Sequence, residues 1–133
     1  MVVTIIEGGE LANILARILL MFNHKINMIR RAEEDDKYKL NEIGVNLIFG
    51  EGTDINILTQ PCVLQSDVVI TLMDRDADNL VSCLLIRKYC NSARTITRVN
   101  KPKYMARYEQ LGINIAFDSA SVLSSLTGAG QVV

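Results

Sequence analysis

Short apolar runs rich in β-branched residues alternate with helix-period segments along nearly all of this 133-residue chain, and that alternation leaves few folds open. Residues 2–6, 25–29, 45–49, 67–72, 94–99 and 113–117 read as strands. Residues 11–22 read as a helix, with Leu11, Ile14, Leu15, Ile18 and Leu19 on one face at i, i+3, i+4 spacing. The charged stretch 33–42 reads as a helix with a solvated outer face. Asp54 can cap a short helix starting near Ile55, and Asp76 or Asp78 can start one that runs to about Tyr89. Pro102 suits the first turn of a helix to Leu111, and Ser119 can cap a last helix that ends before Gly128. Strands alternating with helices imply right-handed βαβ crossovers. The expected fold is therefore α/β: a Rossmann-like, doubly wound, mainly parallel six-stranded sheet with helices on both faces. Strands of nearly pure Val, Ile and Leu fit a sheet buried on both sides. The order 3-2-1-4-5-6 is expected, with Val3, Ile5, Leu47, Val69, Ile70 and Ile96 in the core. One domain over 1–127 is expected, with 128–133 as a tail or the start of a linker.

Charge and hydropathy remove several function classes. A net charge of −1 without a basic stripe gives no field for gathering nucleic acid. The longest apolar stretch, 14–22, is interrupted by Arg17 and falls well short of the roughly 20 residues a membrane-spanning helix needs, so no direct insertion is expected. The first residues carry neither a basic stretch nor a small-residue cleavage site and do not read as a secretory signal. Cys62, Cys83 and Cys90 are odd in number and lack metal spacing, which reads as free thiols. His24 is the single histidine and falls at the entrance to the second strand, at the edge opposite the expected cleft, so no Ser/His/Asp or Cys/His set can be assembled there. The chain is read as a non-enzyme.

In a doubly wound sheet the ligand sits beyond the carboxyl ends of the strands, where the strand order reverses. A dinucleotide fingerprint would place Gly-x-Gly-x-x-Gly/Ala after the first strand. This chain has Glu7-Gly8-Gly9-Glu10-Leu11-Ala12, so Gly9 and Ala12 fall at the second and third small positions and Glu7 replaces the first glycine. Gly8 and Gly9 would bring backbone amides and a helix N-terminus to a pyrophosphate. Glu10 in the first helical turn is explained by the helix dipole alone. At the end of the second strand, NAD binders carry Asp or Glu for the ribose hydroxyls; this chain has Arg30-Arg31. The arginines read in one of two ways, as holders of a 2′-phosphate or other phosphate, or as solvated side chains of a degenerate site. Thr71, Leu72 and Met73, after the fourth strand, are expected to line the cleft. Asp74, Asp76, Asp78 and Asn79 form a polar lead into the next helix, for which capping and solvation are preferred over a metal site.

The later segments carry more information than the glycine turn. Gly44-Val-Asn-Leu-Ile-Phe-Gly-Glu-Gly-Thr-Asp54, Ser66-Asp-Val-Val-Ile-Thr-Leu-Met-Asp-Arg-Asp-Ala-Asp-Asn79 and Ala93-Arg-Thr-Ile-Thr-Arg-Val-Asn-Lys-Pro-Lys-Tyr104 follow one another in this order and at this spacing. Together, over about residues 2–126, they resemble the N-terminal domain of the regulator-of-potassium-conductance (RCK, or KTN) family. The resemblance implies a cytosolic regulatory domain of a potassium channel or uptake system, peripheral to the membrane through its transporter partner. It implies binding of NAD(H), ATP or ADP, pairing of copies through helices as a dimer or ring, and gating through ligand-dependent assembly. It also implies that a smaller C-terminal domain commonly follows. Glu51-Gly52-Thr53 matches a family segment near the adenine, with Glu in place of the usual Asp, and Arg98 and Asn100 match positions near the site or the pairing surface.

The cofactor expectation is NAD(H) or an adenine nucleotide, weakened or abolished by Glu7, which adds an anion beside the phosphates, and Arg30, which removes a ribose acceptor. The expected site comprises Gly8, Gly9, Glu10, Leu11, Arg30, Arg31, Glu51, Gly52, Thr53, Thr71, Leu72, Met73 and Arg98. Two other readings stand beside the regulatory one: a ligand-free pairing scaffold, and the cofactor domain of a nicotinamide-dependent oxidoreductase. Leu20, Met21 and Phe22 add to the apolar stripe of the first helix, so a homodimer through that helix or the one ending at Tyr89 is expected.

Overall fold

A computed structural model of the chain describes residues 1–31, 39–90 and 92–118. Six strands, β1 (Val2–Ile6), β2 (Lys25–Arg30), β3 (Asn46–Phe49), β4 (Val68–Thr71), β5 (Arg94–Val99) and β6 (Ile115–Asp118), form one sheet in the order β3-β2-β1-β4-β5-β6. Every pairing is parallel. β1 lies at the centre, with β2 on one side and β4 on the other, so the strand order reverses there.

The helices follow the sequence closely at their ends. α1 runs over Gly9–Met21, α4 over Asp76–Tyr89 and α5 over Met105–Gln110, the last preceded by a 3-10 turn at Pro102–Tyr104. Asp54 caps α2 (Ile55–Leu58) by accepting the Asn56 amide at 2.9 Å. A further turn, α3 (Pro61–Leu64), begins on Pro61, whose fixed φ suits a first helical position. The start and end of α4 meet the expectation. Arg75 holds the cap position, and Asp76 opens the helix as its first residue. Of the helix expected over 33–42, residues 40–43 form a 3-10 turn and 33–38 lie outside the described residues. The helix expected after Ser119 lies outside them as well.

The side-chain period of two divides the core by sheet face. Val3, Ile5, Ile26, Met28, Ile70 and Leu72 pack with Ala12 and Ala16 of α1 on one face. Ile6, Ile29, Ile48 and Val69 pack with Leu58, Val63 and Ile86 on the other. Val3, Ile5, Val69 and Ile70 are buried as expected, whereas Leu47 and Ile96 are partly buried and pack against the α1-side cluster. Each fully buried aliphatic side chain contributes about 1.5–3 kcal/mol relative to an exposed one. A polar seam crosses the second face. Thr4 Oγ1 lies 2.6 Å from Ser66 Oγ, Asn27 donates to Thr4 Oγ1, and Asn46 donates to Asn27.

The face that α1 turns to the sheet corrects the periodicity reading. Ala12 and Ala16 are buried, while Leu11, Ile14 and Ile18 are 42%, 49% and 47% exposed. Leu15, Leu19 and Leu20 are partly buried beside the alanines. Apolar residues occupy so much of the helix that the pattern does not fix its rotation. Small side chains settle it, because they let the helix lie close to the strands. Ala16→Leu is therefore expected to cost about 1–3 kcal/mol by overpacking, and Ile18→Ser less than about 1 kcal/mol. Urea denaturation in dilute solution reads both, and a larger loss for Ile18→Ser would reverse the assignment of faces.

A cleft at the switch point

The turn between β1 and α1 is built on three consecutive left-handed residues, with φ of 57° at Glu7, 105° at Gly8 and 54° at Gly9. At Gly8 the conformation is accompanied by close packing: a Cβ there would lie 2.7 Å from Leu72 Cβ and 2.8 Å from Leu72 Cδ1. Gly8 also caps α1, so the helix opens with its unpaired amides at the carboxyl edge of the sheet. Gly52 is pressed in the same way, with a Cβ position 2.3 Å from Ile6 Cγ2 and 3.0 Å from Met73 Sδ.

These turns enclose a cleft of about 230 Å³ lined by Glu7, Gly8, Gly9, Leu72, Met73, Asp74 and Arg98. A small recess of about 30 Å³ shares Glu7, Met73 and Asp74 and adds Arg31, Glu51, Thr53, Arg75 and Asp78. Arg31 Nε lies 3.7 Å from Glu7 Oε1 and 3.9 Å from Glu51 Oε2. The negative charge of Glu7 is thus partly offset by a neighbouring guanidinium. Across the cleft, Arg98 donates to the Leu72 carbonyl and pairs with Asp74 at 3.7 Å. Its Nε is buried without a hydrogen-bond partner among the described residues.

Several expected site residues stand elsewhere. Arg30 is 4% exposed, neither solvated nor in the cleft. β2 runs one residue further than expected, and the Arg30 carbonyl accepts the Gly50 amide at 2.7 Å, which makes Arg30 part of the sheet. Thr71 is also buried, its hydroxyl donating to Thr97 Oγ1 at 2.7 Å and lying 3.7 Å from Cys83 Sγ. Glu10 and Leu11 are exposed on α1 and line neither hollow. Gly8, Gly9, Leu72, Met73 and Arg98 meet in the cleft, and Arg31, Glu51 and Thr53 in the recess with Met73.

The polar lead into α4 does more than cap a helix. Asn79 is fully buried; it accepts the Met73 amide at 2.9 Å and donates to the Met73 carbonyl at 2.9 Å and the Arg98 carbonyl at 3.2 Å. Ser82 donates to the Gly52 carbonyl. Asp76 accepts the amides of Asn100 at 2.7 Å and Lys101 at 2.9 Å. The first turns of α4 therefore hold the loops after β3, β4 and β5, of which the loop after β4 lines the cleft and the loop after β3 the recess. Sequence reasoning missed this role of Asn79 and Ser82, whose partners lie up to 30 residues away in the chain. Cys62, Cys83 and Cys90 are free, and burial pushes the Cys83 thiol above its usual pKa. His24 sits at the amino edge of the sheet, its Nδ1 3.0 Å from the Met1 amino group. Among the described residues, no three His, Cys, Asp or Glu side chains form a metal-binding group. No described helix is long and apolar enough to cross a membrane.

An all-parallel sheet wound on both faces, with a glycine turn and a helix N-terminus at the switch point, defines a Rossmann-like domain of nucleotide-binding type. The chain belongs to the TrkA-N domain family, which matches residues 3–119. It is 31% identical over 114 residues to the Trk system potassium uptake protein TrkA homolog of Methanothermobacter thermautotrophicus, which covers 86% of this chain and 52% of that protein. The chain thus spans about half the length of that relative. Among solved structures it is similar in fold to the Shewanella denitrificans Kef CTD in its AMP-bound form, with a TM-score of 0.80 and 12% identity over 99% of this chain and 82% of that one. It is likewise similar to the GsuK channel bound to NAD, with a TM-score of 0.76 and 22% identity over 95% of this chain and 23% of that one.

The turn yields a sharp contrast between adjacent glycines. A Cβ at Gly9 meets nothing within 4 Å, so Gly9→Ala is expected to cost only the left-handed backbone penalty, about 1–2 kcal/mol. Gly8→Ala adds the collision with Leu72 and is expected to cost about 3 kcal/mol or more. Chemical denaturation measures both, and equal losses would contradict the packing described.

Proposed function

We propose that this chain is the nucleotide-sensing domain of a potassium channel or uptake system, acting in the cytoplasm at a membrane partner and without catalysis of its own. Membership of the TrkA-N family carries this reading, together with the Gly8–Gly9 turn that sets the N-terminus of α1 at the switch point. Backbone amides and a helix dipole there favour a phosphate. Arg98 also lines the cleft and brings a guanidinium to it, paired there with Asp74. The solved relatives bound to AMP and to NAD support an adenine nucleotide as the ligand class.

The expectation of a crippled site changes in one respect. Glu7 is paired with Arg31, so the carboxylate repels an incoming phosphate less than an isolated one. The cleft of about 230 Å³ adjoins the recess and a further hollow of about 360 Å³ that shares Asp74 with it, so together they offer room for a nucleotide.

Signalling requires a second element, and α1 supplies it. Leu11, Ile14, Ile18, Met21 and Phe22 leave an apolar face open along the helix whose N-terminus borders the cleft. A second copy of the chain is the proposed occupant of that face, giving a dimer and, through further contacts, a ring. Residues 1–127 are taken as one such domain and 128–133 as its tail or linker. A ligand at a hundred times its dissociation constant stabilises a fold by about 2.7 kcal/mol, on the order of 10 °C in Tm for a domain of this size. Thermal shift with AMP, ADP, ATP, NADH and NADPH is expected to show such a rise for at least one of them. No rise with any would leave the pairing scaffold as the reading. The paired variant Ile14→Glu with Ile18→Glu is expected to sediment as a monomer with its Tm little changed. A dimer unaffected by these charges would remove α1 from the interface.

A further inference from the structure

The net charge of −1 conceals a division of charge along the chain. Residues 84–117 hold seven basic residues against one acidic residue, Glu109, a net charge of +6, which leaves −7 for the rest. No continuous run of basic residues marks this segment; the fold gathers them. α5 packs with α4 through a cluster that includes Tyr108 and Cys83, at the end of the sheet formed by β5 and β6. Lys101, Lys103 and Arg107 are exposed on this flank, and Arg87 and Lys88 are exposed at the last turn of α4. Lys103 and Arg107 are four residues apart, about one helical turn, so they fall on one face. Arg87 donates to the Leu111 carbonyl, which ties the end of α5 to α4 and brings the two basic groups onto one surface.

Aromatic rings lie among these charges. Tyr104 and Tyr108 stack with 6.3 Å between ring centroids, Tyr108 buried and Tyr104 at the surface. Lys103 Nζ lies 5.2 Å from the centroid of the Tyr104 ring, and Lys88 Nζ 5.4 Å from that of Tyr89. The nearby Asp76 carboxylate is spent on the amides of Asn100 and Lys101, and Asp74 is paired with Arg98. We propose that this flank docks on an anionic lipid bilayer, at headgroup level and without insertion. Lys and Arg near such a surface are drawn by its negative potential, each strengthening binding on the order of fivefold. Tyrosine suits the same depth, with an apolar ring and a polar tip. The choice of lipid over an acidic protein rests on the proposed place of the chain, beneath a membrane partner. Cytoplasmic loops of membrane proteins are rich in Lys and Arg and would repel the flank, whereas anionic lipid beside them would attract it.

Co-sedimentation of the full chain with lipid vesicles, in the absence of nucleotide, tests this. The chain is expected to sediment with vesicles of equal parts phosphatidylcholine and phosphatidylglycerol, and to stay in solution with phosphatidylcholine alone. Salt at about 1 M, which screens charges beyond about 3 Å, is expected to release it. Lys103→Gln with Arg107→Gln is expected to weaken partition about thirtyfold. Lys25→Gln with Lys39→Gln makes the same charge change at exposed positions elsewhere and is expected to weaken it less than about threefold. Equal losses for the two pairs would mean that total charge acts, and would overturn the assignment to this flank. Sedimentation with both vesicle types, or with neither, would overturn lipid docking; retention on polyglutamate in the latter case would give the flank to an acidic protein. The thermal shift with nucleotides is read without vesicles, so failure of lipid docking and failure of the nucleotide reading are separate results.

Discussion

The contact between Gly8 and Leu72 governs much of what this fold can do. β1 and β4 are neighbours in the sheet, and the turn leaving β1 must pass directly over the residue that follows β4. A Cβ at Gly8 would collide with Leu72, so the backbone itself occupies that space. The close approach brings Ala12 and Ala16 down onto the strands and turns the first amides of α1 toward the cleft. Packing and site are therefore one constraint seen from two sides. A larger residue at Gly8 would lift the helix from the sheet and move the amides together.

A second set of interactions fixes the opposite wall. Asn79 supplies both donor and acceptor to the backbone of Met73 and reaches the end of β5, while Ser82 secures the loop after β3. Buried amide bonds of this kind are expensive to leave half-made, so the loops they hold have few alternatives. Asp76 extends the same control to Asn100 and Lys101. A movement at the floor of the cleft would be felt along α4, whose outer face exposes Val81, Leu84 and Tyr89. The cleft is thus bordered by α1 and braced through the loop after β4 by α4, each with apolar surface turned outward.

Much of this was legible in the sequence because strands and crossovers leave strong local marks. β1 and β5 begin and end where the apolar runs do, and Asp54 caps the helix that follows it. The glycine pair marks the turn through local chemistry alone. What was not legible depended on rotation or parity. The rotation of α1 was hidden by a surplus of apolar residues, and two alanines decided it. Arg30 leaves the expected site because β2 continues one residue beyond the expected end, taking the residue from a loop into the sheet. Thr71 ends β4 on the α4 side of the sheet, where its hydroxyl meets Thr97 and Cys83 and not the cleft. The pairing of Arg31 with Glu7 and Glu51, and of Ser82 with Gly52, joins residues distant in the chain, which no local pattern reveals.

The central claim is that the β1–α1 turn is an anion site for a nucleotide. Amide chemical shifts recorded during titration with ADP test it most directly. Gly8, Gly9 and Glu10 are expected to shift together with Arg31 and Arg98, and a ligand there should leave Ala77, Lys101 and Tyr104, at the far side of the hollow that adjoins the cleft at Asp74, less affected. Shifts confined to that second hollow, or none at Gly8 and Gly9 at saturating ADP, would contradict the account.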